Sequence, residues 1–392
     1  MSKNSSNIPQ INLKKVIKLK DSLSGLKRLD FPDSALIVEN LEPEIVLELI
    51  LEKARSFLVQ AVSEGNASFQ IPTRSSSNII YDKGNTLLLQ GKEVSDRSFR
   101  NLSSCLSVTQ MASIMRIISE VLEKNRHLTK RDIYYMDKRL FGNDQGTSDS
   151  LIEDLALMLG VTRMSLRVIA SAKGLVVGNV SFLEDGDPID CRKVGRSKSI
   201  TPALDTVKDF ESDAEFVLVV EKDAVFQQLS DVRFYREVPC IIITGKGQPD
   251  LATRMFVHRL RYELGLPIFG LMDADPYGLD ILRVYTMGSK SLSFETPKLA
   301  VTDMKWLGVL PSDISRFNLS PSVLLNMTDQ DMKRGNDMKK EIFIQSRSRW
   351  IEEIDVMLKT KKKAEIEALT SRGLDFMTEE YLPEKLEQGL WY

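Results

Sequence analysis

Three runs in the second half of the chain decide the fold: FVLVVE (216–221), CIIITGKG (240–247) and IFGLMDAD (268–275). Each opens as a short, nearly unbroken apolar segment, the pattern of a strand buried on both faces. Each then ends abruptly in Glu221, in Gly245-Lys246-Gly247, or in Asp273-Ala274-Asp275. Helical patterns follow the second and third runs, from near Pro249 and Tyr277. Buried strands alternating with helices predict a mostly parallel α/β sheet. Ligands of such sheets sit at the carboxyl ends of the strands, where Glu221, Asp273 and Asp275 fall. An extended Asp-Ala-Asp aims both carboxylates the same way. Three oxygen donors from strand ends suit Mg²⁺, which can hold a phosphate and stabilise charge while it is displaced. The plainer alternative is that these acids cap helices or occupy loops. GKGQPD lacks the GxxxxGK[ST] spacing of a nucleotide-binding loop and reads more plainly as a strand-to-helix turn that needs glycine flexibility. A nearby phosphate would find its backbone amides and Lys246.

Residues 107–200 have a different character. SVTQMASIMRIISEVLEKN (107–125) has helical spacing, and Thr129 is placed to cap a second helix, KRDIYYMDKRLF (130–141). Ser150 and Glu153 form a capping-box pattern that opens a third, SLIEDLALML (150–159), ended by Gly160. Thr162 is placed to cap a fourth, RMSLRVIASAK (163–173), stopping at Gly174. Helix, tight turn, helix is the helix-turn-helix arrangement. LVVGNVSF and the turn EDGDP that follow predict the β-hairpin of a winged helix.

In this module Tyr134 and Tyr135 stand amid Lys130, Arg131, Lys138 and Arg139. A phenol is a poor nucleophile unless cations favour its phenolate, and clustered Lys and Arg also hold DNA phosphates. Paired tyrosines on a helix are also ordinary packing residues. Neighbours on a helix point about 100° apart, so one of the two at most faces a given phosphate, and composition does not choose between them. Arg163 and Arg167, four apart on the predicted recognition helix, are candidate DNA contacts or simply a solvated face. Lys130, Lys173 and Lys246 are further candidates, and RKVGRSK (192–198) is a basic wing or a linker.

The chain has 392 residues, 42% apolar and 28% charged, with a formal net charge of −2. That is material for more than one core. Any nucleic-acid binding must use locally gathered positive charge. Three dispersed cysteines argue against a disulfide framework and for a reducing compartment. Two histidines are too few for the usual zinc sites, and neither carries a nucleophile-elbow pattern. No apolar run stands out as a membrane span and the first ten residues lack a secretory core, so an intracellular protein with no membrane partner is expected. Residues 1–40 are polar and are expected to be mobile. PEIVLELILEKARSFLVQAV (43–62) reads as a helix, and SFQI, NIIY and TLLLQG as short strands. The charged tail from about 328 holds helical runs through WIEEIDVMLKT and KAEIEAL.

Several motifs occur together in order: TKRDIYYMDKRLF, SAKGLVVGNV, VEKDAVFQQL, TGKGQPDLATR, LMDADPYGLDI, KWLGVLPSD and AEIEAL…YLPEKL. From about residue 43 to the end, the chain resembles the meiotic double-strand-break transesterases (the sporulation-protein-eleven family) and the related A subunit of topoisomerase VI. The resemblance implies an N-terminal extension (1–100), a winged-helix domain carrying the nucleophile (101–204) and a Toprim domain holding Mg²⁺ (205–392). In the family's RDxxY pattern the nucleophile is Tyr135, and Arg131 stabilises the attacked phosphate. Glu221, Asp273 and Asp275 match the Toprim acids. Implied partners are double-stranded DNA, a second copy or a paralogue, and a topoisomerase VI B-like subunit, in the nucleus. Gln248 departs from the tyrosine common after Gly-Lys-Gly, which points to a divergent branch such as the second plant paralogue. The leading expectation is a DNA breaker of meiotic recombination. The alternatives are a type IIB topoisomerase subunit that reseals its breaks, and a non-catalytic winged-helix DNA-binding subunit.

Overall fold

Capping and apolar spacing set the helices of the N-terminal half in the computed structural model, which describes residues 8–23, 30–170 and 173–392. Within the first 40 residues, expected to be mobile, helix α1 (Lys14–Leu23) is formed and docked. It buries Val16, and Lys20 pairs with Glu215 at 3.0 Å. Residues 1–7 and 24–29 lie outside the described residues. Strand β1 (Ala35–Leu36) precedes α2 (Pro43–Ser63), which starts on proline as expected. The strand-like pieces form β2 (Ser68–Pro72), β3 (Ile79–Asp82) and β4 (Leu87–Gly91), joined by β5 (Val94–Ser98). Helix α3 (Leu102–Glu123) contains a stretch, 104–123, long and apolar enough for a membrane span on length and composition, which the sequence reading missed. Its residues Val108, Met111, Ile114, Ile118 and Val121 are buried in the core of this half.

Strand β6 (Leu128–Thr129) leads into α4 (Lys130–Met136). Thr129 closes a reciprocal capping box: its Oγ1 accepts the Asp132 N–H at 3.1 Å, and Asp132 Oδ2 accepts the Thr129 N–H at 2.9 Å. Helix α5 (Gln145–Leu159) ends at Gly160, whose φ of 70° suits glycine. Its start differs from expectation. Asp144 accepts the N–H groups of Gly146 and Thr147 at 3.1 Å, so Ser150 and Glu153 lie inside the helix. The fourth helix, expected over 163–173, is absent among the described residues. Residues 163–167 form turns, and β7 (Val168–Ile169) pairs in parallel with β6. A distant side chain explains this: Glu295 Oε1 accepts the Arg163 N–H at 2.6 Å, while Arg167 adopts a left-handed φ of 55°. A helix-turn-helix built on a 163–173 recognition helix is therefore corrected. Ser171 and Ala172 lie outside the described residues.

The expected hairpin forms one strand later than its first segment suggested. Strand β8 (Leu175–Gly178) joins the large sheet, and β9 (Ser181–Glu184) pairs with β10 (Asp187–Asp190) across Asp185-Gly186. Next come β11 (Lys198–Ser199), β12 (Val207–Glu211) and β13 (Phe216–Val220). They are followed by α6 (Asp223–Asp231), α7 (Phe234–Glu237), β14 (Cys240–Thr244), α8 (Leu251–Glu263), β15 (Ile268–Leu271), α9 (Pro276–Met287) and β16 (Lys305–Gly308). The six-stranded sheet runs β11-β8-β14-β13-β15-β16. Strands β14, β13, β15 and β16 are mutually parallel; β8 runs antiparallel to β14, and β11 antiparallel to β8. Strand periodicity of two explains the unbroken apolar runs. Val217, Val219, Ile241 and Ile243 face α8 and α9, whereas Phe216, Leu218, Val220 and Ile242 face α6, α7 and the C-terminal segment. Because β13 is flanked by β14 on one side and β15 on the other, the strand order reverses at its carboxyl end, where such sheets hold ligands.

Candidate active site

Two groups of side chains carry the chemistry. The first is α4. The two tyrosines, equivalent by composition, have opposite fates. Tyr134 is 7% exposed and packs into the core of the N-terminal half, whereas Tyr135 is 57% exposed. The helical offset of about 100° separates them. Arg131 stands one turn earlier, its guanidinium 5.7 Å from the Tyr135 ring centre. The pull of this guanidinium on the phenol oxygen, with a smaller contribution from Lys138, holds the Tyr135 pKa below the usual phenol value. Arg131, Lys138 and Arg139 are exposed around it.

The second group lies at the ends of β13 and β15, as the sequence placed it. The Glu221 N–H donates to the Leu271 carbonyl at 3.0 Å, and the Glu221 carbonyl accepts the Gly247 N–H at 2.9 Å. The Gly-Lys-Gly turn is thereby clamped onto the glutamate. Glu221 Oε2 accepts the Asp273 N–H at 2.9 Å. Asp273 Oδ1 accepts the Ile366 N–H at 2.8 Å, and Oδ2 lies 3.1 Å from Lys222 Nζ. Asp275 caps α9, accepting the N–H groups of Tyr277 and Gly278 at 2.8 and 2.7 Å on Oδ1. Gly278 must be glycine for this turn, since a Cβ there would sit 2.4 Å from the Asp273 carbonyl oxygen. Among the described residues, no three acid, histidine or cysteine side chains converge as a finished metal cage.

The acids nevertheless fit a hard divalent ion. Burial, then the neighbouring Asp273 charge, pushes Glu221 up to about 7. Burial pushes Asp273 up to about 6 against hydrogen bonds from Ile366 and Lys222. Negative charge gathered out of water with too little compensation is what a bound Mg²⁺ would relieve. A carboxylate whose folded pKa is raised costs stability above its unfolded value of about 4.3. Without divalent ions at pH 8, Glu221→Gln should therefore melt higher than wild type, by on the order of 1 kcal/mol. The gap should close as pH falls from about 7 towards about 4.3, and saturating Mg²⁺ should raise the wild-type midpoint more than the variant's. Scanning calorimetry at pH 5 and 8 checks this; a variant melting lower at pH 8 without metal contradicts it.

Other candidates from the sequence are placed differently. Arg163 is 6% exposed and packed towards Glu295, so it presents no DNA-facing surface, which corrects its assignment as a contact. Arg167 is half-buried in a turn. Lys130 is engaged by Glu153 at 2.8 Å and Asp149 at 3.7 Å. Lys173 is exposed, and its N–H donates to Asp250. Lys246 Nζ lies 3.6 Å from Asp223. In 192–198, Arg192 and Lys193 pair with Asp190, and Lys198 with Glu184. Sequence reasoning missed Lys222, Glu365 and Glu367, which meet beside Asp273. KAEIEAL reads as a helix, yet 362–363 form a short strand and only 366–372 turn helically, leaving Glu365 and Glu367 two apart. That spacing of two was the available signal.

A Toprim-type sheet with acids at its strand ends, joined to a unit bearing an exposed basic-flanked tyrosine, defines the class of DNA-cleaving topoisomerase-like enzymes. Residues 216–386 match the Toprim-domain profile of the topoisomerase 6 A-subunit/Spo11 proteins, and residues 106–168 match the profile described as "Type IIB DNA topoisomerase". The chain belongs to the topoisomerase 6 A-subunit/Spo11 family. It is 44% identical over 360 residues to the A3 subunit of DNA topoisomerase 6 from Oryza sativa subsp. indica, covering 92% of this chain and 79% of the relative. It is 40% identical over 330 residues to meiotic recombination protein SPO11 of Mus musculus, covering 83% of each. It is 39% identical over 369 residues to the A subunit of type 2 DNA topoisomerase 6 from Hyperthermus butylicus, covering 88% of this chain and 95% of the relative.

Proposed function

We propose that this chain makes double-strand breaks in nuclear DNA by transesterification and thereby initiates meiotic recombination. The observation that carries the reading is the contrast on α4: Tyr134 is buried as an anchor, and Tyr135 is exposed beside Arg131 with its pKa lowered. The Tyr135 oxygen attacks a backbone phosphorus as the bond to the 3′ oxygen breaks. The phenol proton is lost, and the leaving 3′ oxygen takes up a proton to become a free hydroxyl. Arg131 favours the phenolate and neutralises charge on the attacked phosphate. Glu221, Asp273 and Asp275 would hold Mg²⁺, which when bound supplies positive charge to the phosphate. No water or nucleotide is consumed in this step. The N-terminal unit acts as a DNA-binding module of winged-helix type, with Arg131, Lys138 and Arg139 against the backbone.

One tyrosine cuts one strand, so a double-strand break needs two copies of the site, supplied by a symmetric homodimer or by a heterodimer with a paralogue. A topoisomerase VI B-like subunit is the further partner. Exposed apolar side chains on two helices that pack together, Leu58, Val59 and Val62 on α2 and Leu102 and Leu106 on α3, support a partner of this kind. Incubating the full chain with duplex DNA and Mg²⁺, then mapping any covalent peptide–DNA adduct, tests the reading; an adduct on a residue other than Tyr135 overturns it. The similarity to a rice topoisomerase 6 protein favours a second reading, in which the break is resealed. Relaxation of supercoiled plasmid with ATP and a B-type subunit separates the two.

A further inference from the structure

Acids at the strand ends and a chain net charge of −2 do not by themselves attract a duplex. Positive charge has to be gathered locally. The cations around Tyr135 belong to α4, in the other half. The half with the large sheet has a dense run of its own, KTKKK (359–363), four lysines in five residues with no acid between Asp355 and Glu365.

The fold carries this run to the acids. Residues Ser348–Thr360 form a helix, Lys361 turns the chain with a left-handed φ of 54°, and Lys362–Lys363 pair antiparallel with Leu325–Asn326. The next residue, Ala364, exchanges backbone hydrogen bonds with Ala274, which lies between Asp273 and Asp275. The lysines then divide. Lys363 pairs with the buried Asp331 at 2.9 Å, and Asp275 and Tyr277 also act on its charge. Lys362 donates to Asn326 Oδ1 at 2.7 Å. Lys359 and Lys361 are exposed and pair with no carboxylate among the described residues.

Lysines in this place can serve only the carbonyl end of their helix. Two features set this run apart. It is tied by backbone hydrogen bonds to the residue between the two aspartates, and its outer members have no partner of their own. A chain spans at most about 3.6 Å per residue, so Lys361 and Lys359 stand within about 11 and 18 Å of Ala364. Duplex DNA carries a charge about every 1.7 Å along its axis, so several phosphates beside one held at the acids fall within that span.

Resting on the DNA-cleavage reading above, we propose that Lys359 and Lys361 hold the duplex backbone beside the strand-end acids, a second DNA contact on the half that does not carry the tyrosine. They meet phosphates and add affinity without sequence preference. Lys362 and Lys363, already engaged, hold the run in place.

The test counts phosphate contacts. Each one on a duplex adds about 0.9 to the steepness with which log affinity falls against log salt. Binding of the full chain to a duplex is followed by fluorescence anisotropy over a NaCl series that outweighs a constant Mg²⁺ level. Tyr135→Phe is present in every protein so that cutting does not intervene. Lys359→Gln with Lys361→Gln should lower the steepness by about 1.8, and either change alone by about 0.9. Lys359→Arg with Lys361→Arg should keep it. The control is Lys14→Gln with Lys18→Gln, an equal loss of charge on α1, which Lys20 ties to Ala214 and Glu215 at the opposite end of β13. It should leave the steepness unchanged. A Lys359→Gln, Lys361→Gln protein that melts lower but keeps the parent's steepness shows lysines serving only their helix, and overturns the inference. An equal fall in the α1 control makes the effect one of overall charge and overturns it too. A parent that binds no duplex overturns the DNA-cleavage reading and the inference with it.

Discussion

Tyr135→Phe should yield no covalent protein–DNA adduct under conditions in which wild type forms one readily. Only the hydroxyl is removed, from a ring that is 57% exposed, so the melting temperature and DNA affinity should stay near wild type. Tyr134 behaves in the opposite sense. Its phenylalanine variant should still form the adduct, and Tyr134→Ala should lose roughly 3–5 kcal/mol of stability, because a buried ring leaves a cavity. Denaturing gels of DNA-bound protein with parallel melts separate the two positions. An adduct of wild-type yield from Tyr135→Phe removes the nucleophile assignment. Arg131→Ala adds a graded check. With the arginine gone the Tyr135 pKa rises, so adduct formation should need a higher pH than in wild type.

Asp273→Asn should reduce cleavage by about 10²–10³-fold, the size of losing a principal electrostatic element at a reacting phosphate. Glu221→Gln should do likewise, and both should need more Mg²⁺ to reach whatever activity remains. Asp275→Ala has a second consequence. The carboxylate also caps α9 through the Tyr277 and Gly278 N–H groups, so a stability loss of about 1 kcal/mol should accompany the loss of cleavage. Rates across a Mg²⁺ series, with melts of each variant, distinguish these outcomes. Normal cleavage by Asp273→Asn in limiting Mg²⁺ makes the strand-end acids structural.

The sheet was legible because its strands are buried on both faces, so 216–220, 240–244 and 268–271 announce themselves as apolar runs. The acids at their ends were legible for the same reason: a polar residue directly after such a run must lie at a strand terminus. Most of what failed depended on partners remote in sequence. Residues 163–173 have helical spacing, but Glu295, 132 positions from Arg163, captures the Arg163 N–H, and the chain turns into a strand. Asp144 displaced the capping box expected at Ser150 because its carboxylate reaches two N–H groups earlier in the helix. Lys222 was hidden because its three partners lie 51, 143 and 145 residues away, as residue numbers show. The choice between Tyr134 and Tyr135 was open to composition and closed only by family resemblance, since exposure is a property of the packed helix.

The Arg163–Glu295 contact bears on how a duplex is admitted. Arg163 belongs to the nucleophile-bearing half and Glu295 to the half with the large sheet, and they are 6% and 1% exposed. His127 and Asp205, 3.1 Å apart, make a second link between the halves. Prising the halves apart would leave the buried Glu295 carboxylate without the Arg163 N–H that donates to it, a cost of about 1–3 kcal/mol. In the two-copy assembly proposed above, each copy would then act as one bracket holding its tyrosine and acids together, and the gap through which DNA enters would open between brackets, where their mutual grip can yield without breaking either one.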